Sequence, residues 1–324
     1  MPATDGPVNA LTPPMSALSL GVMTFGDQVT DVGEATRMVD MARDAGVTCF
    51  DTADAYHRGA SEELLSKALG GARDEVIIAS KVGQVVDDDP AHRGLSRRWM
   101  RESIEGTLRR LDTDHVDLYY LHVPDYTVPL AESLETLSEL VDEGKVRVPA
   151  VSNHAAWQLA QIDCLTDTNG WHRIGVSQVL YNIMARRLED EYVAYAKQAG
   201  LASVAYNPLA GGLLTGKHQL DAPVDSGRFT NPQYRDRYWH AQEFQAVEEL
   251  GRVAEEAGLS LLELSLRWVL SRDVIDSVLL GASSPEQLQA NLAACAGGAL
   301  PADVLERCED VWPVTGGTAP RYNR

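Results

Sequence analysis

A chain of 324 residues, 44% of them hydrophobic, can bury a substantial core as one large domain or two ordinary ones. Lys+Arg 28 against Asp+Glu 47 leaves a net charge of −19. A surface that acidic repels phosphate backbones and anionic lipid, which excludes nucleic acid and membranes as partners and leaves any anionic ligand to a local basic cluster.

The opening residues, MPATDGPVNALTPPMSALSL, carry no basic segment and no long apolar core, so residues 1–16 read as a loose leader and not as a signal peptide. No run of about 18 apolar residues occurs to suggest a membrane span. Cys49, Cys164, Cys295 and Cys308 are scattered, which reads as reduced thiols in a cytoplasmic protein.

From there strand-like apolar runs alternate with helix-like segments. Ala17–Met23 is the first strand, followed by a helix over Glu34–Ala45 with Ala35, Met38, Val39 and Ala42 on one face. Val47–Phe50 precedes a helix over Glu62–Leu69. Glu75–Ser80 precedes one over Ser96–Leu111, striped by Met100, Ile104, Leu108 and Leu111. His115–Leu121 leads to Leu130–Glu143. Val146–Val151 leads to His154–Leu165, with Pro149 expected to cost a ladder donor and disturb the strand. Val176–Leu180 leads to Leu188–Gln198. Leu201–Tyr206 is trailed by a long irregular stretch, Leu209 to about Tyr238, then by helices over Ala241–Glu256 and Leu261–Ser271. Ser277–Leu280 is the eighth strand and Glu286–Ala296 its helix. Asp303–Trp312 adds one more before a Gly/Pro tail.

Eight alternations with near-continuous apolar strands predict an α/β fold closed as a (β/α)8 TIM barrel, with a long loop after strand seven and an extra C-terminal helix and tail. A doubly wound sheet is the rival, but no GxGxxG follows an early strand. No domain boundary is visible. Residues 1–324 therefore read as a single barrel domain, with 313–324 a tail over the active site.

Chemistry in such a barrel gathers at the C-terminal ends of the strands. Those ends present Asp51 and Tyr56 after strand two, Lys81 after strand three and His122 after strand four. Singly, such residues are commonly a solvated cap, a packing ring or a satisfied core donor. Together on one face they suit carbonyl reduction. When hydride reaches a carbonyl carbon, charge grows on oxygen and a proton must arrive. A tyrosine with its ordinary pKa of about 10 is protonated at neutral pH but is a reluctant donor. The Lys81 ammonium is expected to lower that value, Asp51 to hold the lysine charged, and His122 to orient the carbonyl oxygen.

The segments FDTADAY, ASKV, DLYYLH, VSN, QVLYN and AYNPLAGGLLTGK resemble the aldo-keto reductases from about Leu18 to the C-terminus. NGWHRIGVSQVLYNIMARRLEDE, GRFTNPQYRDRYW and the tail RYNR look most like the aflatoxin-aldehyde and succinic-semialdehyde reductase branch. The resemblance implies NADPH-dependent reduction of aldehydes, with Tyr56 as proton donor and Asp51, Lys81 and His122 completing a tetrad. It also implies Ser152, Asn153 and Gln178 on the nicotinamide carboxamide and Tyr206 against the ring. Asn207, Pro208, Leu209, Ala210, Gly211, Gly212 and Lys217 would follow the pyrophosphate. Ser283, Ser284, Gln287 and Asn291 would hold the adenosine end, at a helix start that favours phosphate.

Ser284 stands where many relatives carry an arginine for the 2′-phosphate, so Arg228, with Lys217 behind it, is expected to supply that charge. His57-Arg58 replaces the commoner Gly-x after the tyrosine. In the resembling branch the positions of Tyr234, Arg237 and the terminal Arg324 bind substrate. An arginine takes a carboxylate through two parallel hydrogen bonds, so carboxylate-bearing or dicarbonyl aldehydes such as succinic semialdehyde are the expected substrates. The branch tends to form homodimers.

GGLLTGKH nearly spells a phosphate-binding loop, but His218 stands where Mg²⁺ needs a hydroxyl and no helix is expected to follow, so ATP is not expected. The eight histidines show no metal-ligand spacing, and no metal is expected. The alternative from another class is a cofactor-binding regulatory subunit resembling the potassium-channel β subunits. The arginine-bearing loop and tail look more like substrate equipment than a docking face, which favours the enzyme.

Overall fold

The computed structural model describes residues 11–222, 227–319 and 322. The strands and helices run β1 (Leu18–Gly21), α1 (Val32–Asp44), β2 (Cys49–Asp51), α2 (Ala60–Leu69), β3 (Ile77–Val82), α3 (Arg97–Leu111), β4 (Val116–Leu121), α4 (Leu130–Asp142), β5 (Val146–Ser152) and α5 (Ala156–Asn169). They continue through β6 (Val176–Leu180), α6 (Tyr192–Ala199), β7 (Ala202–Tyr206), α7 (Pro232–Tyr238), α8 (Ala241–Glu256) and α9 (Leu261–Leu270). Last come β8 (Ser277–Gly281), α10 (Pro285–Cys295), α11 (Ala302–Glu309) and α12 (Trp312–Thr315). Each strand pairs in parallel with the next, and β8 returns to β1 with Leu18 opposite Val278 and Gly21 opposite Gly281. This is the closed (β/α)8 barrel that the alternation predicts.

Side chains alternate across a strand, and here the alternation divides core from site. Cys49, Ile77, Ala79, Leu118, Tyr120, Val148, Ala150, Val176, Ala202 and Val204 form one buried cluster filling the barrel. Their strand neighbours Phe50, Ile78, Val82, Tyr119, Leu121, Val151, Val179 and Ala205 belong to the second cluster, shared with the helices. The helix faces expected from sequence are the buried ones, Ala35, Met38, Val39 and Ala42 in α1 and Met100, Ile104, Leu108 and Leu111 in α3. Helix starts are fixed by side-chain caps: the Asp31 carboxylate accepts from Glu34 N–H, and Ser260 and Glu263 form a reciprocal capping box at α9.

Four expectations change. The stretch after β7 is not irregular throughout. It contains short 3₁₀ turns over Ala210–Thr215 and Arg228–Thr230 and the helix α7, opened by the Asn231 side chain on Gln233 N–H with Pro232 in the first turn. Pro149 does not break β5, since it stays in register opposite Tyr119 and its carbonyl accepts from Gly175 N–H at 2.9 Å. A strand residue's N and O face the same neighbour, so the missing donor faces the chain ahead of β6, where the ladder has not begun. The leader is not loose over its described part: Leu11 is 4% exposed and joins the cluster inside the barrel, and Ser16 exchanges hydrogen bonds with Thr48. The final helix is split, α11 ending at Glu309 and α12 beginning at Trp312 with Pro313 in its first turn.

Candidate active site

The inward rows of the strands end in polar residues. One step of two beyond Cys49 is Asp51, beyond Ala79 is Lys81, beyond Tyr120 is His122, beyond Ala150 is Ser152, beyond Val176 is Gln178 and beyond Val204 is Tyr206. The apolar filling therefore carries a polar layer at the C-terminal mouth.

Lys81 is fully buried, and its ammonium donates to Asp51 Oδ1, to the Thr52 carbonyl at 2.7 Å and to the Tyr56 hydroxyl at 3.3 Å. Three acceptors use all three N–H bonds of an ammonium. The amine also lies 4.8 Å from the centre of the Tyr56 ring and 5.9 Å from that of Tyr120. His122, whose backbone N–H donates to the Val82 carbonyl, meets the Tyr56 ring edge-on with centroids 5.9 Å apart. The four expected groups are thus in one cluster.

The electrostatics differ in sign from the expectation at one point. Burial pushes the Tyr56 phenol above its ordinary value; Lys81 pulls it down and Asp51 pushes it back up, and the net direction is upward. Burial also disfavours the Lys81 ammonium, yet Asp51 and Tyr56 outweigh it and hold the lysine above its ordinary value. The pair is a charged lysine beside a protonated phenol.

Tyr56 opens a 3₁₀ turn over Tyr56–Gly59 in which His57 and Arg58 both take left-handed backbone, φ 50° and 57°, before Gly59 at φ 88°. That conformation costs a non-glycine residue roughly 1–2 kcal/mol. Here it comes with tethers: His57 Nε2 on the Met23 carbonyl at 2.9 Å and Arg58 on Asp88 at 3.2 Å.

Around the rest of the mouth the polar groups bond one another. Gln178 Nε2 donates to the second Asp51 oxygen at 2.8 Å, and Ser152 Oγ donates to the Gln178 carbonyl at 3.0 Å. Asn153, at φ 63°, donates through Nδ2 to the His122 carbonyl and to Ser152 Oγ, and its Oδ1 accepts from the Tyr206 hydroxyl at 2.7 Å. Ser152, Asn153, Gln178 and Tyr206 are therefore wired to the Asp51–Lys81–Tyr56 cluster.

After β7, Asn207 Oδ1 accepts from Gly211 N–H and its Nδ2 donates to the Tyr238 hydroxyl at 2.9 Å. Pro208 and Leu209 lead into Ala210, Gly211 and Gly212 at φ 50°, 71° and 103°. Gly211 packs so closely on Tyr234 that a Cβ there would lie 2.9 Å from the ring, and the Lys217 stem reaches over Gly212. Arg228 donates to the Tyr234 hydroxyl at 2.9 Å and lies against Met23 and Gly281, which places it at the mouth between β1 and β8. Arg237 stacks over Tyr234 at 5.5 Å, so two guanidinium groups hold one ring.

Ser284 caps α10 through Gln287 N–H. The Gln287 side chain accepts from Ser283, and Asn291 donates to the Gly281 carbonyl at 3.1 Å. Arg324 lies outside the described residues. Tyr322 accepts from Ala156 N–H at the start of α5 and donates to Glu191 ahead of α6 at 2.6 Å.

Two participants escaped the sequence reading: the Thr52 carbonyl on Lys81, and Tyr120 beneath it. The alternation that turns His122 inward also selects Tyr120 over Tyr119 in DLYYLH, so the second was readable. Among the described residues no three His, Cys, Asp or Glu side chains cluster to hold a metal, and no helix is long and apolar enough to cross a membrane. A polar cavity of about 540 Å³ lined by Asp40, Arg43, Asp44 and Glu75 lies at the opposite, N-terminal end of the strands, away from this chemistry.

The Aldo/keto reductase family model matches residues 17–313. Human aflatoxin B1 aldehyde reductase member 2 is 34% identical over 96% of this chain and 90% of its own. The aldo-keto reductase YhdN of Bacillus subtilis (strain 168) is 34% identical over 85% of this chain and 83% of its own. A probable voltage-gated potassium channel subunit beta of Oryza sativa subsp. japonica is 34% identical over 86% and 87%. Aflatoxin B1 aldehyde reductases from rat and mouse match at 34% and 33%, in agreement with the branch that the sequence resembles. A barrel with this mouth and matches over nearly its full length make the chain a member of the aldo/keto reductase family, an NAD(P)-dependent oxidoreductase.

Proposed function

We propose that the protein reduces aldehydes to alcohols with NADPH, that its preferred aldehydes carry a carboxylate or a second carbonyl, as succinic semialdehyde does, and that it works in the cytoplasm as one barrel domain. The observation that carries the reading is the Lys81 ammonium shared among Asp51, Thr52 and Tyr56. With all three of its N–H bonds directed, Lys81 makes the Tyr56 oxygen an acceptor and leaves the phenol's own proton to be given to a substrate oxygen. Asp51 keeps the amine charged, and the charge favours the phenolate left behind. His122, beside the tyrosine ring, orients the carbonyl oxygen. Acid catalysis of this kind is worth about 10²–10⁴ in rate.

Several features fit a bound dinucleotide. Ser152, Asn153 and Gln178 offer donors and acceptors suited to a carboxamide, Tyr206 a flat ring, and Gly211 and Gly212 a backbone bare of side chains in a left-handed run. Lys217, Arg228 and the start of α10, with Ser283, Ser284, Gln287 and Asn291, supply charge and donors toward phosphate and adenosine. When bound, the cofactor would supply the hydride. Tyr234 and Arg237, and Arg324 at the chain's end, are assigned to the substrate's carboxylate.

Following NADPH absorbance with 4-nitrobenzaldehyde and succinic semialdehyde tests the reading. Turnover of both is expected, with NADH a poorer donor. Cofactor binding with no turnover of any aldehyde would instead favour a binding subunit of the potassium-channel β type.

A further inference from the structure

The turn that bears Tyr56 is held from behind by groups that the reaction does not touch. Asp54 is 1% exposed. Its Oδ2 accepts from Ser103 of α3 at 2.7 Å, Ser103 accepts from the Tyr119 hydroxyl of β4 at 3.2 Å, and Oδ1 meets no donor in good hydrogen-bond geometry. The same short segment touches Lys81 twice: the Thr52 carbonyl takes its ammonium, and Asp54 N–H donates to the Lys81 carbonyl at 3.3 Å. Beside it Glu62 of α2, fully buried, accepts from Ser80 and from Arg110 of α3, both at 2.6 Å. Arg110 passes so close beneath Gly59 that a Cβ there would collide with it. The left-handed turn thus rests on a buried polar bed built from α2, α3, β3 and β4.

We propose that Asp54 is a positioning residue for Tyr56, seating the turn against Lys81 through a protonated carboxyl packed on Ser103. The proposal rests on the reading of Tyr56 as proton donor. An ionised carboxylate held by one well-formed hydrogen bond, from Ser103, beside the Glu62 carboxylate, is costly in a site this dry. A neutral acid carries no such charge, and its proton, placed on Oδ2, is received by Ser103 Oγ at the same 2.7 Å contact with the acid as donor. Burial accordingly pushes the Asp54 carboxyl up to about 7, against the Ser103 hydrogen bond; Glu62 adds to the rise, and Arg110 and the Ala55 backbone N–H oppose it. Tyr119, the other titratable group facing this bed, is held by burial well above its ordinary value and stays protonated. Ionisation of Asp54 therefore falls within the working pH range and loosens the segment that places Tyr56.

The test compares wild type with D54N, D54A and S103A in NADPH-dependent reduction of 4-nitrobenzaldehyde from pH 6 to 8. Asparagine mimics the neutral acid. Wild-type kcat is expected to fall severalfold across this range with the KM for NADPH unchanged, and D54N to hold its pH 6 value at pH 8. D54A is expected to lose tenfold or more at both ends, with asparagine restoring it, and S103A to lie between. Superimposable pH profiles for wild type and D54N, or a D54A enzyme as fast as wild type, overturn the proposal.

Urea unfolding supplies an arm that needs no turnover. The carboxyl's folded value of about 7 lies above its ordinary 3.8. Between those limits the folded state binds more protons, so the Asp54 contribution is lost as pH rises. D54N should gain on wild type from pH 5 to pH 8, and a pH-independent difference overturns the proposal. A wild type that turns over no aldehyde fails the functional reading, and this arm then decides for Asp54 alone.

Discussion

At the scale of single residues, direction matters more than proximity. Lys81 has all three N–H bonds assigned, so Tyr56 is both supported by the ammonium and left with its proton to give. Replacing Tyr56 with phenylalanine removes the proton and the acceptor of one Lys81 N–H: kcat for aldehyde reduction should fall by about 10²–10⁴ while the KM for NADPH stays put. Lys81→Met is a different experiment. It leaves Asp51 as an uncompensated buried charge, and breaking such a pair costs roughly 3–5 kcal/mol, so urea unfolding should separate the two variants as clearly as turnover does. Arg237, stacked on Tyr234, is judged on succinic semialdehyde. Arg237→Ala should raise its KM about tenfold with 4-nitrobenzaldehyde less affected, and an unchanged KM removes the arginine from the substrate site. The clustering of Asp51, Tyr56, Lys81 and His122 was legible because each lies at or just beyond the end of an apolar strand run. The sign of the Tyr56 shift was not, because sequence shows a neighbouring lysine but not how completely a phenol is withdrawn from water.

At the scale of elements, strands and long helices were readable from periodicity, and several helices end within one or two residues of where the pattern stops. The exception is α7, seven residues long and too short for an apolar stripe to declare itself. Its signal lay in Asn231-Pro232, a cap followed by a proline whose missing N–H would have gone unused in the first turn. The packing of residues 11–16 under the barrel left no pattern at all, since it rests on one buried leucine and a hydroxyl exchange. The run Ala210–Gly212 makes a sharper claim. Gly211 is left-handed and in contact with Tyr234, so Gly211→Ala should lose roughly 1–2 kcal/mol of stability from backbone strain. It should also displace the Tyr234 ring and raise the aldehyde KM, which steady-state kinetics beside urea unfolding would register.

At the scale of the molecule, two buried groups bend the stability curve in opposite senses. His154 donates from Nδ1 to the Ser152 carbonyl, and burial lowers its value from 6.5 to about 4. Between those limits the unfolded chain binds the extra proton. Its contribution is therefore complete above pH 6.5 and is lost as pH falls toward 4. Asp54 works from the other side between 3.8 and about 7, so from about pH 4 to 6.5 the two slopes oppose and nearly cancel, and above 6.5 Asp54 alone draws stability down. His154→Gln removes its share of this balance, so the variant should gain on wild type as pH falls from 6 to 4.5, and a urea-midpoint difference that stays constant over that range would overturn the assignment.

The seam between β1 and β8, where Ser19 and Ser277 share a hydroxyl contact at 2.7 Å, joins the first strand of the chain to the last and can close only once β8 has been made. A chain emerging from the ribosome has made Asp51, Tyr56, Lys81 and His122 long before β8 exists. Until then its growing sheet carries two bare edges, the kind that pair with strangers. Shielding the half-made barrel during synthesis is therefore a cost built into the closure itself.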